Sequence, residues 1–489
     1  MAARAGLDAA FVRRMESIVG RAGVFSSREQ RRTYECDGLA SHRTTPGLVV
    51  LPETAEQVQQ VVRECHRSGI PFVARGSGTG LSGGAQPLED GVLLVLSRMR
   101  RILEVDVPNQ RVVVEPGVTN LQVTQEVAGR GSYYAPDPSS QVVCSIGGNV
   151  AENSGGAHCL KYGFTTNHVL GLEVVLPDGE MVHLGGRTLD PVGYDLVGAF
   201  VGSEGTLGIA TKITLRLTRK PEAVRTLLAA FGSTDEAGEA VSDIIAAGII
   251  PAATEMMDAL SIEAAEAAVH AGYPRDAGAV LIVEVDGAAA EVAGELDAVE
   301  RICRERGARE LRVAADDEER ARVWKGRKSA FAAVGRISPD YYVQDGVVPR
   351  TTLPAVLRRI AEMAARDGLR VANVFHAGDG NLHPLVLYDA RVPGQAERAE
   401  ALSSEILQVC LDHGGSITGE HGVGTDKKAF MPRMFTAEDL GVMQLLRCAF
   451  DPDGRCNPGK VFPTPRLCGE KPGPGRAHPL VAAGVADLF

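Results

Sequence analysis

The chain has 489 residues, 44% of them hydrophobic and 23% charged, with a formal net charge of 51 − 62 = −11. This length exceeds what one ordinary core supports, so the sequence predicts two or more domains. An acidic chain without a basic block gives no reason to expect nucleic acid or an anionic membrane as a partner. The nine cysteines are scattered without a CxxC pair, which indicates reduced thiols in a cytoplasm.

The N-terminal residues predict a helix and no membrane segment. No apolar run approaches the roughly 18 residues that a membrane span needs. The stretch MAARAGLDAAFVRRMESIVG lacks the apolar core of a signal peptide and predicts an amphipathic helix that carries Asp8 and Glu16. A transit peptide is the alternative, although such segments avoid acids. We therefore expect an N-terminal helical segment at 1–42.

The next part of the chain mixes helix, strands and glycine-rich loops. Residues 54–68 predict a helix, because Thr54 and Gln57 form a capping box ahead of apolar residues at helical spacing. Strands are predicted at PFVA, GVLLVLS, RVVVEPG and residues 209–217, and GLEVVLPDGEMVHL predicts a hairpin around Pro-Asp-Gly. A boundary near 218–222 closes a domain that we place at 43–220.

In the second half, predicted strands alternate with predicted helices. TLLAAF, a helix near 235–247 and a strand near 251–257 form one β-α-β unit, and AVLIVEVDG, a helix near 288–305 and ELRVA form another. Two such units in tandem predict a ferredoxin-like antiparallel sheet. Further elements are predicted as helices at 353–366 and near 395–412 and as the strands VANVFH and LHPLVLY. We place this domain at 221–464, before a Pro- and Gly-rich tail at 465–489.

A glycine-rich loop follows the first strands. Gly78, Gly80 and Gly83 spell the G-x-G-x-x-G of Rossmann dinucleotide sites. That motif must open a helix, which Gly83 and Pro87 prevent, and the next strand ends in the basic SRMRR where an acid should hold the ribose. The loop can still cradle phosphate oxygens, and a flexible surface loop is the alternative. Residues 136–163 and 201–209 are also glycine-rich, which favours wrapping around an extended polar cofactor.

In this order, RGSGTG, IGGNVAENSGG and GSEGTLG resemble the FAD domain of the vanillyl-alcohol oxidase/p-cresol methylhydroxylase superfamily. The last two are similar to its branch of glycolate oxidase flavin subunits, D-lactate dehydrogenases and D-2-hydroxyglutarate dehydrogenases. The resemblance runs from about 43 to 463. It implies an α+β fold, with a two-subdomain FAD-binding domain of the p-cresol methylhydroxylase type and a ferredoxin-like antiparallel-sheet substrate domain. It also implies non-covalent FAD, because the first loop lacks the histidine through which some members attach the cofactor.

The resemblance further implies which residues contact FAD. The pyrophosphate is assigned to one loop, made of Arg75, Gly76, Ser77, Gly78, Thr79 and Gly80. The flavin and ribityl region is assigned to Pro138, Ser145, Gly148, Asn149, Ser154 and Gly155. Gly208 and Ile209 are expected on the adenosine side, and Asn457 is expected to reach the flavin.

The stretch HAGDGNLH places His376 and His383 on either side of a turn sequence between two predicted strands. A hairpin would bring both imidazoles to one ion, since opposed Cβ atoms lie roughly 5 Å apart. GEHGVG offers Glu420 as a third ligand and His421, on the other side of an extended chain, for catalysis. The resemblance agrees, because it implies a divalent cation on these three ligands and His421 as the base. The alternative is a pair of hydrogen-bonded turn residues.

A carboxylate substrate needs a cation, and WKGRKSAF offers Arg327 and Lys328. The resemblance implies that Arg327 clamps the substrate, and a surface helix with solvated charges is the alternative. Tyr341 and Tyr342 are weaker candidates for lining the pocket.

The predicted function is FAD-dependent oxidation of a small D-2-hydroxy acid, with glycolate and D-lactate as the leading candidates. The predicted metal is Zn²⁺ or Mn²⁺, with Fe²⁺ as a third candidate. The chain has no iron–sulfur or haem motif, so electrons leave to O₂, a quinone or a partner protein. The resemblance implies an iron–sulfur partner subunit, and we expect a cytoplasmic protein that reaches a membrane only through such a partner. One alternative is an FAD-binding electron-transfer subunit without its own substrate. The other is a metallohydrolase, which leaves the glycine-rich half unexplained.

Overall fold

The computed structural model describes residues 7–188 and 192–463. Its helices are α1 (Ala9–Val19), α2 (Arg28–Arg32), α3 (Ala55–Ser68), α4 (Asn120–Val127), α5 (Ile146–Glu152), α6 (Cys159–Tyr162), α7 (Leu196–Phe200), α8 (Thr234–Ala246), α9 (Ala259–Val269), α10 (Ala289–Glu305), α11 (Asp317–Val334), α12 (Leu353–Asp367), α13 (Gln395–Asp412), α14 (Met431–Met434) and α15 (Ala437–Phe450). The predicted N-terminal helix is therefore present as α1. The tail predicted at 465–489 lies outside the described residues.

The strands fall into four sheets among the described residues. They are β1 (Val24–Phe25), β2 (Leu48–Val50), β3 (Phe72–Arg75), β4 (Val92–Val95), β5 (Ile102–Asp106), β6 (Arg111–Val114), β7 (Ser132–Tyr133), β8 (Val169–Val175), β9 (Met181–Gly185), β10 (Ile209–Arg216), β11 (Thr218–Arg219), β12 (Ala223–Phe231), β13 (Ala253–Asp258), β14 (Ala279–Gly287), β15 (Glu310–Val313), β16 (Asp340–Val343), β17 (Gly346–Val347), β18 (Arg370–His376), β19 (Asn381–Leu382) and β20 (Pro384–Tyr388).

A small sheet of order β1-β2-β4-β3 begins the molecule, and β2, β4 and β3 are parallel. Helix α3 covers it with an apolar stripe of Val58, Val61 and Val62, as its spacing predicts. The predicted capping box is half formed: Thr54 Oγ1 accepts from the backbone N of Gln57, but the Gln57 side chain accepts from the N of Glu53. The glycine-rich loop leaves the carboxyl end of β3, which places it at one edge of this sheet.

The second sheet has the order β5-β6-β10-β8-β9 and is antiparallel throughout. It contains the predicted hairpin β8–β9, whose turn has Gly179 at φ +87°. The glycine-rich segment at 136–163 contains α5 and α6. Ile146 and Val150 anchor α5, because one helical turn separates them and both are buried in the core under this sheet.

The second half contains the predicted ferredoxin-like sheet, with the antiparallel order β15-β12-β14-β13. The two β-α-β units are β12-α8-β13 and β14-α10-β15, and the unpredicted helix α9 lies between them. Strand β13 would be an exposed edge, but β18 pairs with it and continues the sheet through β19 and β17. This pairing brings Glu255 opposite His376.

Two further observations bear on the composition. Among the described residues, Cys36, Cys65, Cys144, Cys159, Cys303, Cys410 and Cys456 carry free thiols. Within the described ranges, no helix has the length and apolar character that crossing a bilayer requires.

Candidate active site

A cavity of about 1010 Å³ lies where the glycine-rich loops of the first half meet the second half. On the first side it is lined by most of the predicted FAD contacts: Arg75, Gly76, Ser77, Gly78, Thr79, Gly80, Pro138, Ser145, Gly148, Asn149, Ser154, Gly208 and Ile209. On the other side lie His383, Glu420 and His421. The fold therefore brings two predicted sites, far apart in sequence, to one space.

Two predicted FAD contacts lie behind the cavity wall. A Cβ on Gly155 would lie 2.8 Å from Glu420 Oε2, so this glycine allows the close approach of the loop that carries Glu420. Asn457 is buried, and its Nδ2 donates to the carbonyl oxygens of Gly84 (2.8 Å) and Glu204 (2.6 Å). Both residues shape the cavity from outside, and their contact with FAD stays a prediction.

The glycine-rich loop is held from below by Arg75. Its guanidinium is buried and donates to the carbonyl oxygens of Ala85 (2.6 Å), Tyr34 (3.1 Å) and Cys36 (3.0 Å). The Arg75 side chain therefore fixes the loop, and the loop backbone is the part that can approach a ligand.

The contact between Gly76 and Ser145 at the cavity wall suits a large polar ligand. A Cβ on Gly76 would lie 2.0 Å from Ser145 Oγ, so any other residue would force the Ser145 hydroxyl out of its present position. Ser145 Oγ is itself buried and has no hydrogen-bond partner among the described residues. A buried hydroxyl without a partner at a cavity wall suits a ligand with polar atoms.

His376 and His383 form a cluster with Glu420. Their rings lie 5.1 Å apart, and Glu420 Oε1 is 3.3 Å from the Nε2 of each. One ligand atom from each of the three residues lies within 4.8 Å of the others. Neither ring nitrogen of His383 has a hydrogen-bond partner within the described part of the chain, although the residue is only 2% exposed. Such an imidazole suits a metal ligand.

The hairpin that carries these histidines differs from the prediction in register. His376 pairs with Asn381, and Asn373 pairs with Pro384, so His383 falls between β19 and β20. The two histidines are thus diagonal neighbours and not directly opposed. The break at His383 follows from Pro384, which has no N–H to continue the ladder.

A buried ion pair lies behind His376. Its Nδ1 is 2.7 Å from Glu255 Oε1, and Arg327 Nε donates to Glu255 Oε2 at 2.7 Å. Burial opposes the charge, but Arg327 and His376 outweigh it and hold the pKa of Glu255 below its ordinary value. Glu255 therefore orients His376 with Nε2 toward Glu420, an arrangement that raises ligand basicity.

Arg327 is 3% exposed on helix α11, so it is not a solvated surface charge. Its Nε and Nη2 both face Glu255, at 2.7 and 2.6 Å. Lys328, Phe331, Tyr341 and Tyr342 of the same region line the cavity.

Asp345 is a buried carboxylate with a weak sequence signal, an acid that follows a strand. Its Oδ2 accepts from Thr418 Oγ1 (2.5 Å) and from the backbone N of His421 (2.9 Å). Lys427 Nζ lies 3.2 Å away, and His383 Nε2 lies 3.4 Å from Oδ1. Although burial opposes it, Lys427 with the two histidines holds the pKa of Asp345 well below its ordinary value. Asp345 thus fixes the loop that carries Glu420 and His421.

His421 stacks on His383 with ring centroids 5.0 Å apart and an interplanar angle of 1°. Burial lowers the pKa of His421 to about 4. The imidazole is therefore neutral at pH 7 and can accept a proton from a molecule in the cavity that it lines.

The comparisons with known proteins agree with this geometry. Residues 46–185 match the family described as FAD binding domain, and residues 220–461 match FAD linked oxidases, C-terminal domain. Glycolate oxidase subunit GlcD of Escherichia coli (strain K12) is 53% identical over 447 residues, 91% of this chain and 90% of that protein. The chain belongs to the FAD-linked oxidase family. FAD is accordingly its cofactor, as predicted.

More distant members of the FAD-linked oxidase family match over similar lengths. GlcD of Bacillus subtilis (strain 168) is 40% identical over 433 residues, 88% of this chain and 92% of that protein. The probable mitochondrial D-lactate dehydrogenase of Danio rerio is 31% identical over 452 residues, 91% and 90%. The crystal structure of p-cresol methylhydroxylase with substrate bound has a TM-score of 0.77 at 18% identity, and the match covers 92% of this chain and 96% of that one. The predicted α+β fold of the p-cresol methylhydroxylase type is confirmed.

Proposed function

We propose that this FAD-linked oxidase oxidises a small D-2-hydroxy acid, glycolate or D-lactate, to the 2-oxo acid. The observation that carries the proposal is that His421, with His383 and Glu420 of the cluster that also contains His376, lines the same cavity as the glycine-rich loops. The identity to glycolate oxidase subunits and to D-lactate dehydrogenases supports the substrate class.

FAD is held non-covalently in this proposal, since the loop at 75–87 contains no histidine. The glycine-rich loop backbone holds the pyrophosphate. The flavin and ribityl region is assigned to Pro138, Ser145, Gly148, Asn149, Ser154 and Gly155. Gly208 and Ile209 lie on the adenosine side, and Asn457 reaches the flavin. The unpartnered hydroxyl of Ser145 supports a polar contact there.

His376, His383 and Glu420 hold one divalent cation, Zn²⁺ or Mn²⁺, with Fe²⁺ as the third candidate. Two imidazoles and one carboxylate suit these ions and leave open positions for a substrate. The approach of His383 Nε2 to Glu420 Oε1 at 3.3 Å and the Glu255 contact behind His376 support this assignment.

The residues of the chain bind, orient and deprotonate the substrate. When bound, FAD supplies an acceptor for the α-hydrogen with its two electrons, and the cation supplies Lewis-acid chemistry. In this proposal Arg327, which lies behind the cavity-lining Lys328 and Phe331, receives the substrate carboxylate while its Nε stays hydrogen-bonded to Glu255. His421 accepts the hydroxyl proton, and Asp345 keeps the His421 backbone in place. A general base in this role contributes about 10²–10⁴-fold.

The test is anaerobic mixing of the purified protein with glycolate, D-lactate, D-2-hydroxyglutarate and L-lactate. Loss of the visible flavin absorbance with a D-2-hydroxy acid or glycolate supports the proposal. A yellow protein that no hydroxy acid bleaches favours an electron-transfer subunit, and a colourless protein favours a metallohydrolase.

The electrons must then leave the reduced cofactor. In this proposal they pass to O₂, a quinone or an iron–sulfur partner subunit. The proposal also places the protein in the cytoplasm, attached to a membrane only through such a partner. Turnover assays with each acceptor in turn, with and without oxygen, distinguish an oxidase from a dehydrogenase.

A further inference from the structure

Glu204 lies on the glycine-rich loop at 201–209, in the half of the molecule that binds FAD. It is 5% exposed and has φ +51°, between Gly202 and Gly205, which also have positive φ. A side chain is uncommon in this backbone region, where glycine fits without steric cost. A glutamate at this position is therefore explained by what its carboxylate binds.

The carboxylate of Glu204 binds a loop of the other half. Oε1 accepts from the backbone N of Val423 and Oε2 from that of Gly424, each at 2.6 Å. Both bonds are short for N–H···O bonds, and both oxygens of the carboxylate are engaged. The two donors follow Glu420 and His421 by only a few residues. Glu204 thus spans from the flavin side to the loop that carries the base.

The surroundings leave this contact little room to shift. A Cβ on Gly422 would lie 2.4 Å from Glu152 Oε2 and 2.9 Å from Glu204 Oε1, and one on Gly84 would lie 2.6 Å from Glu152 Oε1, so the Glu152 side chain fills the space beside Glu204. Behind Glu204, Asn457 Nδ2 donates to its carbonyl oxygen at 2.6 Å. Three loops therefore meet at this carboxylate: residues 75–87, 201–209 and 418–424.

A second carboxylate grips the same loop from the opposite side. Asp345 accepts from the backbone N of His421 at 2.9 Å and lies in the substrate half. Asp345 fixes the loop relative to the histidine cluster, whereas Glu204 fixes it relative to the glycine-rich loops. The distance from His421 to a cofactor on those loops depends on the Glu204 contact.

We propose that Glu204 is a positioning residue whose carboxylate fixes the loop at 418–424 against the flavin side of the cavity and so sets where His421 stands. This inference rests on the proposed function, because it takes His421 as the base. A displacement of about 1 Å costs on the order of 10²-fold in rate, so the effect should be large.

The test compares Glu204→Gln with Glu266→Gln as a matched control. Glu266 is 6% exposed and accepts from the backbone N of Tyr273 at 2.8 Å, so the control weakens the same kind of bond away from the loop. In Glu204→Gln, hydrogen exchange at the amides of Val423 and Gly424 should accelerate while bound FAD is retained. Anaerobic flavin reduction by glycolate should slow about 10²-fold with a much smaller change in KM. The control should change neither.

Three results overturn the inference. The first is unchanged hydrogen exchange at the amides of Val423 and Gly424 in Glu204→Gln. The second is an equal slowing of flavin reduction in the control Glu266→Gln. The third is measured on wild-type protein and applies even if Glu204→Gln fails to fold. Val423 and Gly424 lie in a loop, so rapid hydrogen exchange of their amides would show that Glu204 does not hold them. If no hydroxy acid reduces the flavin in wild-type protein, the proposed function fails, and the exchange data still decide whether Glu204 holds the loop.

Discussion

His158 connects the two halves of the molecule through an ion-pair network. Its Nδ1 is 3.0 Å from Asp137 Oδ1, and its Nε2 is 3.4 Å from Glu284 Oε1 of strand β14. Glu284 also accepts from Arg320 at 2.7 Å and from Trp324 Nε1 at 2.7 Å. Burial disfavours the charged imidazole, but Asp137 and Glu284 outweigh it and raise the pKa of His158 to about 10. His158 is therefore a cation at neutral pH.

The rise in the pKa of His158 from 6.5 to about 10 sets the size of the effect. At about 1.4 kcal/mol per pKa unit, it corresponds to at most about 5 kcal/mol of stability. The folded-state pKa lies above the unfolded-state pKa, so this stabilisation is fully present below pH 6.5 and is lost as the pH rises toward 10. Across that window the contribution falls by about 1.4 kcal/mol per pH unit.

The assay is urea unfolding of wild-type protein and His158→Gln at a series of pH values across this window. Trp324 is the only tryptophan in the chain, and its ring stacks on His158 at 5.7 Å, so its fluorescence reports the site. Below pH 6.5 the variant should be less stable by about 3–5 kcal/mol. The difference should shrink as the pH approaches 10. A difference that is constant over the whole window would refute the protonated His158, and no difference at any pH would refute the ion pair.

Three further predictions concern the cavity. His421→Ala should abolish flavin reduction by hydroxy acids while bound FAD is retained, and near-normal kcat in this variant would show that another group is the base. Exhaustive chelation should remove activity that Zn²⁺ or Mn²⁺ restores; full activity after chelation would show that His376 and His383 do not act through a metal ion. Glu255→Gln should destabilise the fold by about 3–5 kcal/mol, because it leaves Arg327 buried without its counter-charge. The same variant should weaken metal affinity about 10–100-fold in a metal titration, and unchanged affinity would mean that Glu255 does not orient His376.

Local sequence patterns predicted the individual helices and strands better than they predicted which strands pair with each other. Each β-α-β unit of the ferredoxin-like sheet has its own apolar strands and helix, so its presence could be inferred from short windows. The extension of that sheet could not, because β13 and β18 are separated by more than a hundred residues and no local pattern encodes their pairing. The link from Arg327 through Glu255 to His376 depends on that pairing and was missed with it.

The candidate site divides in the same way. His376, His383 and Glu420 stand in short motifs with turn residues, and the fold brings them together as the motifs predict. Asp345 and Glu204 are single acids beside strands and glycines, a pattern that a solvated surface charge shares. Burial distinguishes them, and burial follows from the packing of distant segments.

The position of the proposed base is therefore a property of the contact between the halves. His421 has its backbone bonded to Asp345 on one side, and the amides two and three residues later are bonded to Glu204 on the other. The loop has no strand or helix to hold it between these contacts. Substitutions at the two carboxylates should accordingly affect the rate of flavin reduction more than they affect FAD binding, because the glycine-rich loops keep their own support from Arg75. The FAD site is held by Arg75 within its own half, whereas the loop of His421 is held by Asp345 and Glu204 from both halves. Substitutions can therefore perturb the two sites separately.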